Sequence, residues 1–277
     1  MNQHASSVTS ALHKLVAQQA ARAGGWLPFD RYMALALYAP GLGYYANASR
    51  KFGHLPSSGS DFVTAPEMSP LFGRTLAAQL GEALERTGTQ EIWEFGAGSG
   101  ALARELLQSL GDRITRYTIV ELSASLRERQ QQALAPWGDR VQWASELPAA
   151  MHGVVVGNEV LDAMPVKLLA RKGGVWHERG VRIEGEQLAW VDRPTDLRPP
   201  LEPAGPQDYL TEIHPQAEAF IRTLAAQLGE ALERTGTQEL WEFGAGSGAL
   251  ARELLQSLGD RITRYTIVEL SASLRER

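Results

Sequence analysis

The chain has 277 residues, no cysteine, and a formal net charge of −5 at pH 7. That length suits one large α/β domain or two small ones. The absence of cysteine excludes disulfides, thiolate zinc sites and a cysteine nucleophile. Its mixed charges offer no nucleic-acid-binding surface, and no apolar run approaches the roughly 20 residues needed to cross a bilayer.

The N-terminus shows neither the apolar core of a secretory signal nor an Arg-rich transit pattern, so the expected location is cytoplasmic. Residues Val8 to Ala23 read as a helix ended by Gly24-Gly25, and Phe29 to Tyr38 as a second helix closed by Pro40-Gly41. A Gly/Ser/Pro-rich stretch with several aromatics, Gly41 to Pro66, reads as a functional loop. Ser69-Pro70 then caps a helix carrying Phe72, Leu76, Leu80 and Leu84 at helical spacing, with Gly88 at its end. Glu91–Phe95 predicts a strand, Leu102, Leu106 and Leu110 a helix, and Tyr117–Val120 and Arg140–Trp143 two more strands. Gly153–Gly157 is an apolar run suited to a strand buried on both faces. Strands alternating with helices predict a parallel sheet. By contrast, Lys167–Ala170, Val175–Ile183 and Gln187–Val191, separated by turns at Gly173-Gly174 and Gly185, predict an antiparallel meander. Pro215 opens a long helix with Phe220, Leu224, Leu228 and Leu232 on one face. These elements divide the chain into 1–70, a helical extension with the loop; 71–220, a Rossmann-like core interrupted by the meander; and 221–277.

The chemical signature lies where Glu91–Phe95 runs into Gly96, Gly98 and Gly100. Glycines allow the tight turn and let the backbone approach a ligand, and the following helix supplies free N–H groups. Glu121 ends the next strand, about 20 residues on, where a carboxylate can hold ribose hydroxyls. Two ligands suit this pattern. Gly96, Gly98 and Ala101 satisfy the dinucleotide spacing of a nicotinamide-dependent oxidoreductase, although no second mononucleotide-binding half follows. Glu94 favours S-adenosylmethionine instead, because it would attract an ammonium and repel a pyrophosphate; the alternative is that Glu94 faces solvent. Asn158, Glu159 and Asp162 follow the apolar strand and offer an amide and two carboxylates to a methyl acceptor, or else a helix cap with exposed acids. No metal site is expected.

Residues Arg222–Arg277 repeat Arg74–Arg129 over 56 positions with one change, Ile92 to Leu240. Two nearly undiverged copies separated by unrelated sequence read as a recent duplication or an assembly jump, and 221–277 as a duplicate of 73–129 that is not an independent domain.

The motifs together resemble the MidA-like methyltransferases, whose mitochondrial members assist respiratory complex I assembly as protein arginine methyltransferases. The resemblance rests on Leu37–Tyr45, Asp61–Glu67, Glu94–Gly100, Asn158–Pro165 and Tyr209–Phe220, and spans residues 1 to about 220. It implies an α/β fold: a Rossmann-like S-adenosylmethionine methyltransferase sheet with an N-terminal helical extension and a meander insertion. It also implies that Gly96, Gly98, Gly100 and Glu121 bind the cofactor, with Asp61 and Thr64 as further cofactor-binding residues, that the Asp61–Glu67 loop and Asn158–Asp162 border the transfer centre, and that the acceptor is a protein. Capping of the loop is the alternative role for Asp61 and Thr64. The family continues after the Phe220 helix with a strand ending in an Asp-Tyr-Gly-type motif; the duplicate stands there instead. Its strand 239–243 is expected to fill that place in the sheet, and its loop Gly244–Gly248 not to form a second active site. That departure also admits a non-catalytic assembly factor that keeps the cofactor fold.

Overall fold

The computed structural model describes residues 3–46, 64–147, 151–185, 187–202, 204–205, 207–235, 239–243 and 249–268. The chain forms two compact units. One gathers residues 68–122, 132–158 and 217–277; the other gathers 1–67, 123–131 and 159–216.

The elements in chain order begin with α1 (Gln3–Arg22), β1 (Leu27–Pro28), α2 (Phe29–Tyr38), α3 (Ala65–Met68), α4 (Pro70–Thr87), β2 (Glu91–Phe95) and α5 (Ala101–Leu110). Then come β3 (Arg116–Val120), α6 (Ala124–Leu134), β4 (Val141–Ala144), β5 (Val154–Gly157), β6 (Lys167–Lys172), β7 (Val175–Glu184), β8 (Gln187–Pro194) and β9 (Tyr209–Ile213). α7 (Pro215–Thr235), β10 (Glu239–Phe243), α8 (Ala249–Leu258) and β11 (Arg264–Val268) complete the chain.

In the first unit, β2, β3, β4 and β5 form a parallel sheet in the order β4-β3-β2-β5. Parallel neighbours require crossovers, and their apolar run buries both faces. α4 is set by its ends: Ser69 Oγ accepts from the Leu71 N–H at 3.1 Å, Pro70 takes the first turn, and Gly88 closes the helix at φ 64°. α5 places Leu102, Leu106, Leu107 and Leu110 against Ile92, Tyr117 and Ile119 in one core. Each fully buried leucine there contributes about 1.5–3 kcal/mol by leaving water. The strand order turns back between β2 and β5, the place where open α/β sheets take ligands.

The second unit carries the antiparallel meander. β7 pairs with β6 over Val175–Arg179, with β1 over Gly180–Val181, and with β8 over His177–Glu184. β9 adds to β6, so the sheet gains two short strands that the sequence pattern does not mark. Trp26 explains Gly180: a Cβ there would meet the Leu27 carbonyl oxygen at 2.3 Å and the indole at 2.7 Å. Val16 and Ala20 of α1 pack with Leu27 and Val181 into a small core of this unit.

The duplicated sequence rebuilds its local structure. β10 pairs with β11 in parallel, Glu239↔Arg264 through Phe243↔Val268, the same register as Glu91↔Arg116 through Phe95↔Val120. Against Gly81, a Cβ would meet Arg113 at 2.5 Å and Leu110 at 3.4 Å; against Gly229, it would meet Arg261 at 2.5 Å and Leu258 at 3.3 Å. The Arg74–Glu105 ion pair at 3.6 Å returns as Arg222–Glu253 at 3.8 Å. Strand 239–243 therefore does not fill a place in the four-stranded sheet. It is paired with β11 in a separate two-stranded sheet, in the register its own copy of the sequence sets. Gly244–Gly248 lies outside the described residues.

Candidate functional site

The glycine loop leaves the carboxyl end of the central strand β2. Gly96, Gly98 and Gly100 stand at φ 62°, 56° and 82°, left-handed backbone that side chains with a Cβ rarely adopt. Gly100 heads α5, and Ser99 Oγ accepts from the Ala101 N–H at 3.2 Å. The loop is pinned at its base, where the Gly96 N–H donates to the Val120 carbonyl at 3.2 Å. One strand further, the Glu121 N–H donates to Ala144 at 3.0 Å. On the other side Phe95 is in register with Gly157, so Asn158 leaves β5 level with Gly96. Gly96, Gly98, Gly100, Glu121 and Asn158 therefore share one edge of one sheet.

Glu94 does not face solvent. It is 2% exposed, and its carboxylate accepts from the Tyr117 hydroxyl at 2.7 Å. Burial raises its pKa from 4.5 to about 7; the Tyr117 hydrogen bond works against that, and the negative charge of Glu121 adds to it. The Tyr117 hydroxyl is itself pushed well above its ordinary value, by burial first and then by Glu94. Glu121 is 6% exposed. Tyr117 is the residue that sequence reading missed. It reads as an ordinary strand residue, and only its register, opposite Ile92 on β3, lets its ring reach Glu94 two residues along.

The second unit holds the other candidates. Thr64 is half-buried, and its carbonyl accepts from the Glu67 N–H at 2.9 Å, which opens α3. Asp61 lies outside the described residues. Glu159 sits at φ 53°, an uncommon backbone for a residue with a side chain. Its pKa is raised by burial and then by Asp162. The Tyr45 hydroxyl is raised by burial, then by Asp162, then by Glu159. Tyr45 stacks on Tyr38 at 5.6 Å, with Tyr44 edge-on at 5.1 Å. The Tyr38 hydroxyl donates to the Ala163 carbonyl at 2.6 Å, and Ser123 Oγ donates to the Tyr45 carbonyl at 3.0 Å. Among the described residues neither Glu159 nor Asp162 has an ion-pair partner within 4.0 Å. Two like charges beside aromatic rings attract a cation.

The units divide between Asn158 and Glu159, so Asn158 stands with the glycine loop while Thr64, Glu159 and Asp162 belong to the other unit. Among the described residues no cluster of His, Asp and Glu could hold a metal ion, and no helix is long and apolar enough to cross a membrane.

The profile of a family described as "Putative S-adenosyl-L-methionine-dependent methyltransferase" matches residues 75–236. A Caenorhabditis elegans protein named protein arginine methyltransferase NDUFAF7 homolog, mitochondrial, is 27% identical over 188 residues, 58% of this chain and 44% of that protein. The zebrafish (Danio rerio) protein arginine methyltransferase NDUFAF7, mitochondrial, is 25% identical over 263 residues, 81% of this chain and 60% of that protein. A crystal structure of a Burkholderia thailandensis protein bound to S-adenosyl-homocysteine superposes with a TM-score of 0.74 at 43% identity, covering 82% of this chain and 62% of that one. The chain thus spans less than two thirds of the length of these relatives.

Proposed function

Because the chain belongs to this family of S-adenosyl-L-methionine-dependent methyltransferases, we propose that it binds S-adenosylmethionine at the carboxyl ends of β2 and β3 and methylates arginine in a protein. The observation that carries the reading is the pair of buried carboxyl groups, Glu94 and Glu121, flanking a loop of three left-handed glycines. This donor set suits a cationic ligand. A carboxyl poised at about 7 ionises readily when a positive charge approaches, and S-adenosylmethionine carries an ammonium and a sulfonium. Glu121 suits the ribose of either cofactor, whereas the Glu94 carboxyl would repel a dinucleotide pyrophosphate. Gly96, Gly98 and Gly100 would let the backbone approach the cofactor, and Glu121 would accept from ribose hydroxyls.

When bound, the cofactor supplies an electrophilic methyl group. The chain's own contribution is to hold the acceptor. Arginine is a poor nucleophile because its lone pairs are delocalised and its pKa exceeds about 12. Glu159 and Asp162 would bind the guanidinium, localise its charge and take the proton released on transfer. The relatives' names, protein arginine methyltransferase, support the acceptor class.

The test is transfer of radiolabelled methyl from S-adenosylmethionine to arginine in a protein extract, read after acid hydrolysis as methylarginine. Label in methylarginine that Glu159→Gln and Asp162→Asn together abolish supports the assignment. Unchanged turnover in the double variant refutes the roles of both acids. Cofactor binding with no label transferred favours the non-catalytic assembly factor.

A further inference from the structure

The segment that carries Glu159 and Asp162 runs between β5 and β6 and belongs to neither strand. It bends at Asp162 and Ala163, where the Met164 N–H donates to the Leu161 carbonyl at 3.1 Å. Glu159 enters it at φ 53°, a conformation that costs about 1–3 kcal/mol and persists only where its surroundings hold it. The end of α2 provides such a hold. Tyr38, the last residue of that helix, donates its hydroxyl to the Ala163 carbonyl at 2.6 Å. The chain beyond α2 folds back over the same turn of helix: the Tyr44 N–H donates to Ala36 at 2.7 Å and the Tyr45 N–H to Leu37 at 2.8 Å. That return lays the Tyr45 ring on Tyr38, with centroids 5.6 Å apart and planes at 27°. From the first turn of α2, Asp30 reaches Lys167 at 3.1 Å, where β6 begins. α2 is therefore tied to the chain at Ala163 and again at Lys167, and all of these residues belong to one compact unit.

We propose that Tyr38 is a positioning residue for methyl transfer, its hydroxyl holding the bend so that Glu159 and Asp162 meet the acceptor as a pair. This role rests on the reading above, in which those acids bind the acceptor guanidinium. Tyr38 touches no reacting atom; it acts through the backbone of Ala163, next to Asp162. Attraction between two carboxylates and a guanidinium tolerates small displacements. Alignment of the nucleophile for transfer does not, and a misplacement of about 1 Å can cost about a hundredfold in rate. Loss of the hydroxyl is therefore felt in turnover more than in acceptor binding.

Tyr38→Phe removes the hydroxyl and keeps the ring that stacks on Tyr45. Parent and variant are compared with radiolabelled S-adenosylmethionine and a blocked peptide holding one arginine between glycines, alongside the cofactor Kd and a thermal melt. The expected result is a kcat lower by about tenfold or more, with a peptide KM within about threefold of the parent's. The cofactor Kd stays the same, and Tm stays within about 5 °C, the effect of one hydrogen bond. A kcat within about threefold of the parent's overturns the role of Tyr38 and leaves the acceptor reading standing. A variant that fails to fold, melts lower than that, or binds the cofactor more weakly assigns Tyr38 to the fold alone and overturns the role as well. If the parent transfers no methyl to arginine in either the peptide or a protein extract, the acceptor reading itself fails and the role falls with it.

Discussion

Glu94→Gln isolates the charge at the heart of the sheet. Glu94 is 2% exposed and takes up a proton near 7 rather than 4.5. The unfolded chain releases that proton near the ordinary value. Between the two, the folded state binds more protons than the unfolded one, so stability falls as pH rises. Each pH unit across that window costs about 1.4 kcal/mol, about 3 kcal/mol in all by pH 8. Glutamine cannot ionise, and its amide oxygen can still accept from the Tyr117 hydroxyl, 2.7 Å from the carboxylate in the parent. The variant is therefore expected to match the parent at pH 5 and to exceed it by about 2–3 kcal/mol at pH 8. Urea midpoints at half-unit steps from pH 5 to 8 measure this. Parallel curves for parent and variant would mean that Glu94 ionises normally in the folded chain, and the buried-carboxyl argument would fail.

Three further outcomes are expected. Asp192 is held at about 2 by Arg179, at 2.8 and 3.0 Å, and by Lys172 at 2.7 Å. Its contribution is present above about 4 and lost as pH falls through about 2, so Asp192→Asn should lose about 1–2 kcal/mol at neutral pH and flatten the acid limb of a thermal-melt series. An unchanged acid limb would show the pair to be solvent-screened. Gly153 stands at φ 123°, where a Cβ would lie 2.3 Å from the Glu91 carbonyl oxygen. Gly153→Ala should therefore destabilise by about 2–4 kcal/mol in urea titration, by pushing β5 off β2; a loss below about 0.5 kcal/mol would mean that the strand shifts freely. Finally, Tyr117→Phe removes the hydroxyl that stabilises the Glu94 carboxylate, so cofactor affinity at pH 7 should fall several-fold and its pH dependence should move to higher pH. Equal affinity across pH 6–9 would detach Glu94 from the ligand.

Much of this architecture is legible from local pattern. The strand Glu91–Phe95 is bounded by polar residues before it and by Gly96 after it, and the structure gives the same limits. Leu102, Leu106 and Leu110 announce α5 because only a helical period gathers them on one face. The helix Phe29–Tyr38 likewise stops where Pro40 forbids continuation. What the pattern hides is pairing at a distance. Tyr209–Ile213 alternates too briefly to read as a strand, and it becomes one because β6 offers an edge. Leu27–Pro28 is a strand only through its two pairs with β7. The site divides in the same way. Glycine spacing marks the loop from sequence, whereas the state of Glu94 depends on Tyr117, 23 residues away, and on burial that no local motif encodes. The duplicate shows the limit most plainly: nearly identical sequence rebuilds α4-β2-α5-β3 as α7-β10-α8-β11, yet it does not gain the neighbours β4 and β5.

The central claim, a cofactor site built from a glycine loop and buried acids, is tested most directly by calorimetric titration with S-adenosylmethionine at pH 7 in two buffers of different ionisation heat. The account predicts one site and proton release on binding, because burial raises the Glu94 pKa and an approaching cation favours its ionised form. It also predicts that Gly98→Arg, at φ 56°, abolishes the heat. Well-folded protein that binds no S-adenosylmethionine, or that binds a nicotinamide dinucleotide in its place, would contradict it.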